Sequence, residues 1–521
     1  MELTILETSD LHGYLFPTTY QKRNMDEPFG ILKAATVFKE ERKKAKGPVF
    51  TVENGDYIQG SSLSYYLAKQ RKTPAELMQA LNAMKYDVGV LGNHSFNYGL
   101  EYLKKGIAAA DFPVMSANIL NVQNEPAFGK GYGVFEKEGV KIGFLGLTTQ
   151  YISQWEHPNH YAGLYFQSAV ACAKEIVPVL REKADIVVVS YHGGFERDLK
   201  TGKPTEVLTG ENEGYHLLSE VKGIDVLLTG HQHRTIAEMV NGVAVIQPSD
   251  KGSYVGKVTV ELDKAADGYK IAAMIPSLIS VKDVKGDETM SRHFEPLHQE
   301  VEDWLDQTVG VVKGNMNITD PHQVRIKEHP YIELIQKVQM DATGTSISGT
   351  ALFNNQGTGF DTTITTRDIV TNYIYPNTLA VLNITGADLR AALEQSAGYF
   401  ALESDGTIGV NPDFMDPKPQ HYNYDMYEGV EYTIDVAKPI GSRIVELTKD
   451  GKPIPDDELL EVVTNQYRAV GGGDYMMFDA SKIVREVTTD MSELIGEYIK
   501  KNPVINATVN DNFKVVVGEG E

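Results

Sequence analysis

Throughout residues 1–285, apolar residues fall in short unbroken runs separated by stretches of helical spacing. The runs at 3–8, 49–53, 88–91, 114–117, 142–147, 186–190, 226–229 and 243–247 are rich in Val, Ile and Leu. That composition suits strands covered on both faces. Between the runs, spacing such as Leu77, Leu81 and Met84 gives a helix one apolar stripe. This helix carries a start signal, in which Thr73 can cap, Pro74 suits the first turn and Glu76 completes a capping box. Strand alternating with helix predicts a layered α/β domain over 1–285.

The pattern changes over 286–327. Leu297, Val301, Trp304, Leu305 and Thr308 fall on one face of a helix that could start at Pro296, and the other face is mostly acidic, which reads as a linker helix. From 328 to 521 a third region holds a helix near 331–340, another at 387–396 behind Thr385, and loops rich in Gly, Asn and Asp. It reads as a smaller C-terminal α/β domain. There is no internal repeat, and the tail 518–521 reads as disordered.

The chain's 521 residues favour two domains with a linking element. With 42% hydrophobic and 23% charged residues, a packed globular protein is expected. The net charge of −22 would repel long polyanions, so long nucleic acid is excluded as a partner. A small anion can still bind where metal ions reverse the local sign. Cys172 is the only cysteine and sits in the apolar Ala169-Val170-Ala171-Cys172-Ala173, so it reads as a buried structural thiol outside any disulfide. No apolar run approaches the roughly 20 residues that span a bilayer, so no membrane partner is expected. The chain as written opens without a basic region and apolar stretch. That reads as cytoplasmic, or as periplasmic or extracellular had a signal been removed. Nothing in the pattern selects an oligomeric state.

Five of the apolar runs are followed directly by polar clusters containing Gly. These are Ser9-Asp10-Leu11-His12-Gly13, Asn54-Gly55-Asp56, Gly92-Asn93-His94-Ser95-Phe96-Asn97, Tyr191-His192-Gly193-Gly194 and Gly230-His231-Gln232-His233. Ligands of α/β sheets bind beyond the carboxyl ends of the strands, so the five clusters should meet in one crevice. Carboxylate, amide and imidazole donors suit borderline divalent cations such as Mn²⁺, Zn²⁺, Fe²⁺ or Co²⁺. One such cluster would be an ordinary turn, whereas five in order, holding five of the 13 histidines, point to a metal site.

Asp10-x-His12, Gly55-Asp56, Gly92-Asn93-His94, Tyr191-His192-Gly193 and Gly230-His231-x-His233 resemble the calcineurin-like metallophosphoesterase pattern in its 5′-nucleotidase version. The resemblance implies an N-terminal α/β/β/α catalytic domain and a C-terminal nucleotide-binding domain. It places Asp10, His12, Asp56 and His233 on one metal, and Asp56, Asn93, His192 and His231 on a second. Asp56 bridges the pair, and Asn93 also meets the substrate. A metal-bound hydroxide is expected to attack phosphorus, with His94 neutralising phosphoryl charge or protonating the leaving alkoxide.

Two departures from the family's 5′-monophosphate form carry information. That form reads Gly-Asn-His-Glu-Phe-Asp, whereas this chain has Ser95 and Asn97. Asn97 can orient the His94 ring but brings no charge. The Asn form resembles the branch that opens 2′,3′-cyclic nucleotides and then removes the 3′-phosphate, as does Tyr373-Ile374-Tyr375-Pro376-Asn377. The loop 354–359 also lacks the arginines usual in 5′-nucleotidases. The resemblance further implies two aromatics around the base, with Tyr424 and Tyr467 as positional matches and Asn355 and Asp474 as polar contacts. Rotation of one domain on the other would use the helix near 296–309 as pivot. The competing readings are a 5′-nucleotidase, a nucleotide-sugar pyrophosphohydrolase, hydrolysis at sulfur, and a non-catalytic metal-binding or surface-interaction protein.

Overall fold

The computed structural model describes residues 1–206, 208–416 and 418–518. They form two compact units, Met1–Val301 and Glu302–Glu521.

The first unit is built on two sheets. One has the strand order Tyr269–Ser280, Tyr254–Lys264, Glu2–Thr8, Val49–Glu53, Val88–Gly89. The other runs Thr235–Val240, Val243–Pro248, Val226–Thr229, Ile186–His192, Val140–Thr148, Tyr132–Lys137. Glu2–Thr8, Val49–Glu53 and Val88–Gly89 are parallel, as are Val140–Thr148, Ile186–His192 and Val226–Thr229. Leu3, Ile5, Phe50 and Val52 of the first sheet share one core with Phe144, Val188, Leu228 and Ile246 of the second. The outer face of the second sheet, with Leu145, Val187 and Val189, is covered by the helices Ala169–Arg181 and Gly214–Glu220. On the first sheet's outer face, Glu41 and Arg42 of the helix Ile31–Lys44 bond Lys257 and Thr51. The layers are therefore α/β/β/α. Being covered twice, Ile186–His192 is buried at every residue, which is why its sequence does not alternate. Cys172 is buried, and burial pushes its thiol up to about 12.

Three local expectations change. The run 114–117 is not a strand. Met115 donates to Gly89 of the first sheet and Ala117 to Gly146 of the second, so the segment crosses between sheets and pairs with the first only through the single bridge of Val114 to Gly89. The helix Ala75–Met84 starts without a capping box, because Pro74 occupies the cap position and has no amide N–H for Glu76 to receive. The linker helix runs Glu288–Leu305 and starts well before Pro296, since the Asp287 carboxylate caps the amides of Thr289 and Met290. Thr308 opens the strand Thr308–Lys313. The division between units falls inside this helix. Glu300 bonds Tyr66 and Arg71 in the first unit, while Glu302 and Asp306 pair with Arg367 in the second.

In the second unit a five-stranded sheet has the order Asp425–Glu428, Ile347–Ala351, Leu459–Asn465, Leu379–Thr385, Ile483–Val487. The helix Pro330–Thr343 starts at His329, and Gly386–Ala397 starts at Thr385 with Asp388 closing a capping box. Among the described residues no helix is long and apolar enough to cross a membrane. The tail expectation lies, beyond Gly518, outside the described residues.

Candidate functional site

In the first unit the parallel strands all end at one edge, and the five polar clusters begin there. Asp10 and His12 follow Glu2–Thr8, Asp56 follows Val49–Glu53, and Asn93 and His94 follow Val88–Gly89. His192 ends Ile186–His192, and His231 and His233 follow Val226–Thr229. The chain turns sharply to aim these side chains. Asp10, His12, Asp56, His231 and His233 all adopt left-handed backbone, with φ of 52°, 47°, 60°, 67° and 56°. Each such non-glycine residue costs on the order of 1–3 kcal/mol, a strain that concentrates at functional sites. The glycines leave room: a Cβ on Gly92 would lie 2.1 Å from Asp56 Oδ1, and one on Gly230 would lie 2.5 Å from Asp10 Oδ2.

The donor atoms converge. Asp10 Oδ1 lies 3.4 Å from His233 Nε2 and 3.9 Å from His12 Nε2 and from His192 Nε2. His12 and His233 bring their Nε2 atoms within 3.2 Å of each other. Asp56 Oδ2 is 3.1 Å from His192 Nε2. Asn93 Oδ1 lies 3.2 Å from His192 Nε2 and 2.9 Å from His231 Nδ1. Two groups able to hold an ion result, Asp10 with His12 and His233, and Asp10 with Asp56 and His192. Asp10 therefore touches both groups.

The surroundings prepare these atoms. His12 Nδ1 lies 3.0 Å from the Gln59 carbonyl and His192 Nδ1 2.6 Å from that of Asn54. A carbonyl only accepts, so Nδ1 carries the proton and Nε2 faces inward as a ligand atom. Burial and the neighbouring His233 push His12 down to about 4, which keeps its ring neutral. Burial opposes ionisation of Asp10 and Asp56, yet the facing imidazoles, His192 first, hold both carboxyls below the usual range. Burial also disfavours a charged His192, but Asp56 and Asp10 override it and raise the ring to about 9. Two buried carboxylates thus hold a proton on His192 where a cation would take its place.

His94 donates its backbone N–H to Asp56 Oδ1 at 2.8 Å, and its Nδ1 lies 2.7 Å from Asn97 Oδ1. Asn97 donates to Glu156 Oε2 at 2.6 Å. Glu211 Oε1 sits 2.8 Å from His231 Nε2, and the Trp155 ring stacks on the His231 ring at 5.5 Å. The sequence reading missed Trp155, Glu156 and Glu211. One signal was present for the first two: the apolar run 142–147 is followed by Tyr151, Trp155, Glu156, His157 and His160, and the structure sets Val140–Thr148 parallel to Ile186–His192, with Thr148 level with His192. The segment after it, rich in aromatics and histidine, must open on the same edge.

The expected base-binding residues all belong to the second unit. Tyr424 is a correction, because its ring is 0% exposed, packed on Tyr399 and Phe400, with its hydroxyl donating to the Arg325 carbonyl at 2.8 Å. An aromatic enclosed in this way is core and offers no face to a base. Tyr467 is half-buried, and Asn355 and Asp474 are exposed. Asn355 Oδ1 accepts from Arg325 Nη1 at 2.8 Å. The loop without its own arginines is thus tied down by a buried arginine from the helix Pro321–Ile326.

A family model described as calcineurin-like phosphoesterase matches residues 3–235, and one described as 5′-nucleotidase, C-terminal domain matches 308–480. The chain is similar to a candidate 5′-nucleotidase from Staphylococcus aureus solved with alpha-ketoglutarate, at 37% identity and TM-score 0.92, covering 99% of this chain and 100% of that one. It is 29% identical to the 2′,3′-cyclic-nucleotide 2′-phosphodiesterase/3′-nucleotidase of Salmonella typhimurium, over 99% of this chain and 89% of that protein. It is 28% identical to the trifunctional nucleotide phosphoesterase protein YfkN of Bacillus subtilis, of whose length it spans 39%. Calcineurin-like phosphoesterases take divalent metal ions, and the buried carboxylate, imidazole and amide donors fit such ions. On both family matches and the full-length likeness, the chain belongs to the 5′-nucleotidase family of calcineurin-like metallophosphoesterases, which are metal-dependent hydrolases.

Proposed function

We propose that the protein hydrolyses 2′,3′-cyclic nucleotides and 3′-nucleotides, with two divalent ions held by Asp10, His12, Asp56, Asn93, His192, His231 and His233. Such an ion pair supplies a water nucleophile at neutral pH and neutralises phosphoryl charge. Asp10 and Asp56 lie between the imidazoles and bring the negative charge that would retain both ions. Asn93 extends its amide oxygen into the same donor set, where a phosphate oxygen would also arrive. His94 gives Nδ1 to Asn97 and keeps Nε2 for the substrate. There Nε2 can deliver a proton to the departing ribose oxygen. Water adds to phosphorus as the P–O2′ bond of the cyclic ester breaks. In a second round the P–O3′ bond breaks and releases nucleoside and phosphate.

The observation that carries the substrate choice is Asn97 in contact with His94, where the 5′-monophosphate branch has a carboxylate. The Salmonella relative's name agrees with it. Tyr467, with Asn355 and Asp474, is proposed to recognise the base, and Tyr467→Ala is expected to raise KM by the equivalent of about 1–3 kcal/mol. Metal-reconstituted protein assayed on 2′,3′-cAMP, 3′-AMP and 5′-AMP tests the substrate choice. The first two should be cleaved far faster than the third, and a strong preference for 5′-AMP would overturn it. That second outcome has its own support, since the Staphylococcus aureus relative is a candidate 5′-nucleotidase.

A further inference from the structure

Asn97 does not stand alone beside His94. Its Nδ2 donates to Glu156 Oε2 at 2.6 Å, while its Oδ1 lies 2.7 Å from His94 Nδ1. The other oxygen of Glu156 accepts from the His157 amide at 2.9 Å and lies 2.7 Å from His160 Nδ1. The Glu156 side chain is 9% exposed. This carboxylate comes from the turn after Val140–Thr148, 59 residues from Asn97 in sequence.

An ionised carboxylate only accepts hydrogen bonds, and so does an amide oxygen. With Glu156 on one side, the NH2 of Asn97 must face Glu156 and its oxygen must face His94. His94 Nδ1 is then the donor, and the ring is turned with Nε2 toward the substrate. Without Glu156 no other hydrogen bond among the described residues distinguishes the two ends of the Asn97 amide, and a turned-over amide would aim N–H at the ring nitrogen it now receives from. In a site where a 1 Å or one-rotamer error is costly, fixing that choice is worth a carboxylate.

We propose that Glu156 is a positioning residue for catalysis, holding the Asn97 amide in the orientation that presents His94 Nε2 to the scissile phosphate ester. The inference rests on the phosphoesterase reading of the site, not on which nucleotide is cleaved.

The test uses the metal-loaded full chain and Glu156→Ala, Asn97→Asp and the double variant. Each is assayed on whichever ribonucleotide monoester the wild type cleaves and on p-nitrophenyl phosphate. Glu156→Ala should lower kcat on the nucleotide about 10- to 100-fold with little change in KM. On p-nitrophenyl phosphate, whose leaving group departs without a proton, the loss should be about ten-fold smaller. Bound metal should equal wild type. An aspartate at 97 offers His94 an oxygen either way round, so the double variant should be at least as active as Asn97→Asp. Equal loss on both leaving groups, a drop in bound metal, or the same cost of Glu156→Ala in the Asn97→Asp background would each overturn the proposal. A changed nucleotide preference in the wild type would overturn the substrate reading alone, and a wild type that cleaves neither ester would overturn both.

Discussion

Gly92 shows how little freedom a single position has at this site. A Cβ there would sit 2.1 Å from Asp56 Oδ1 and 2.7 Å from the Asp56 amide nitrogen, and neither backbone nor ligand can give way without moving the donor set. Gly92→Ala is expected to weaken metal binding about 10- to 100-fold, the range found when ligand-supporting groups are removed. Metal titration of the purified variant measures this, and wild-type affinity would contradict the packing. The same economy explains the left-handed backbone at Asp10, His12, Asp56, His231 and His233, where the turn that aims each ligand is itself strained.

At the scale of elements, the loop carrying Tyr467 is fastened by a buried ion pair. Arg468 Nε donates to Asp425 Oδ2 at 2.7 Å, and both side chains are 1% exposed. Arg468 also donates to the carbonyls of Tyr422 and Gly472, so one guanidinium joins the helix Gln466–Ala469 to the strand Asp425–Glu428. Arg468→Met leaves the Asp425 carboxylate buried without its partner and is expected to destabilise the second unit by about 3–5 kcal/mol. Urea unfolding followed by tyrosine fluorescence would register the change. His421 offers a pH test in the same unit. Its Nδ1 lies 2.7 Å from the Tyr399 hydroxyl, and burial, aided by Arg325, pushes the ring from 6.5 down to about 4. Between those values the unfolded chain binds a proton that the folded one does not, so stability falls as pH falls through that window. The wild type's advantage over His421→Gln should therefore shrink as pH drops from 6.5 toward 4, read from melts across that range.

For the whole molecule, a net charge of −22 is reconciled with an anionic substrate chiefly through metal. Ions held there would also offset the strained backbone and crowded carboxylates, so chelation should lower the unfolding temperature of the first unit and leave that of the second unchanged. With free metal at about 100 to 1,000 times its dissociation constant, the loss would be about 2.7–4.1 kcal/mol. Calorimetry with and without chelator tests this, and two transitions that move together would contradict it.

Apart from the partly exposed strands Tyr132–Lys137, Thr235–Val240, Tyr254–Lys264 and Tyr269–Ser280, the amino-acid sequence by itself determined the strands of the first unit's two sheets and the polar clusters at the ends of five of them. Both are local properties: a doubly covered strand must be continuously apolar, and a ligand at its end needs only its own side chain and a neighbouring glycine. The same locality made the capped helix behind Thr385 legible. Tertiary structure decided what depends on residues distant along the chain. It enclosed Tyr424 between Tyr399 and Phe400, sent Arg325 to the loop at 354–359, and moved the start of the linker helix to Asp287. It also brought Glu156 to Asn97 and Glu211 to His231. Side-chain spacing along a strand announces a ligand, but which carboxylate steadies that ligand depends on where the next loop folds back.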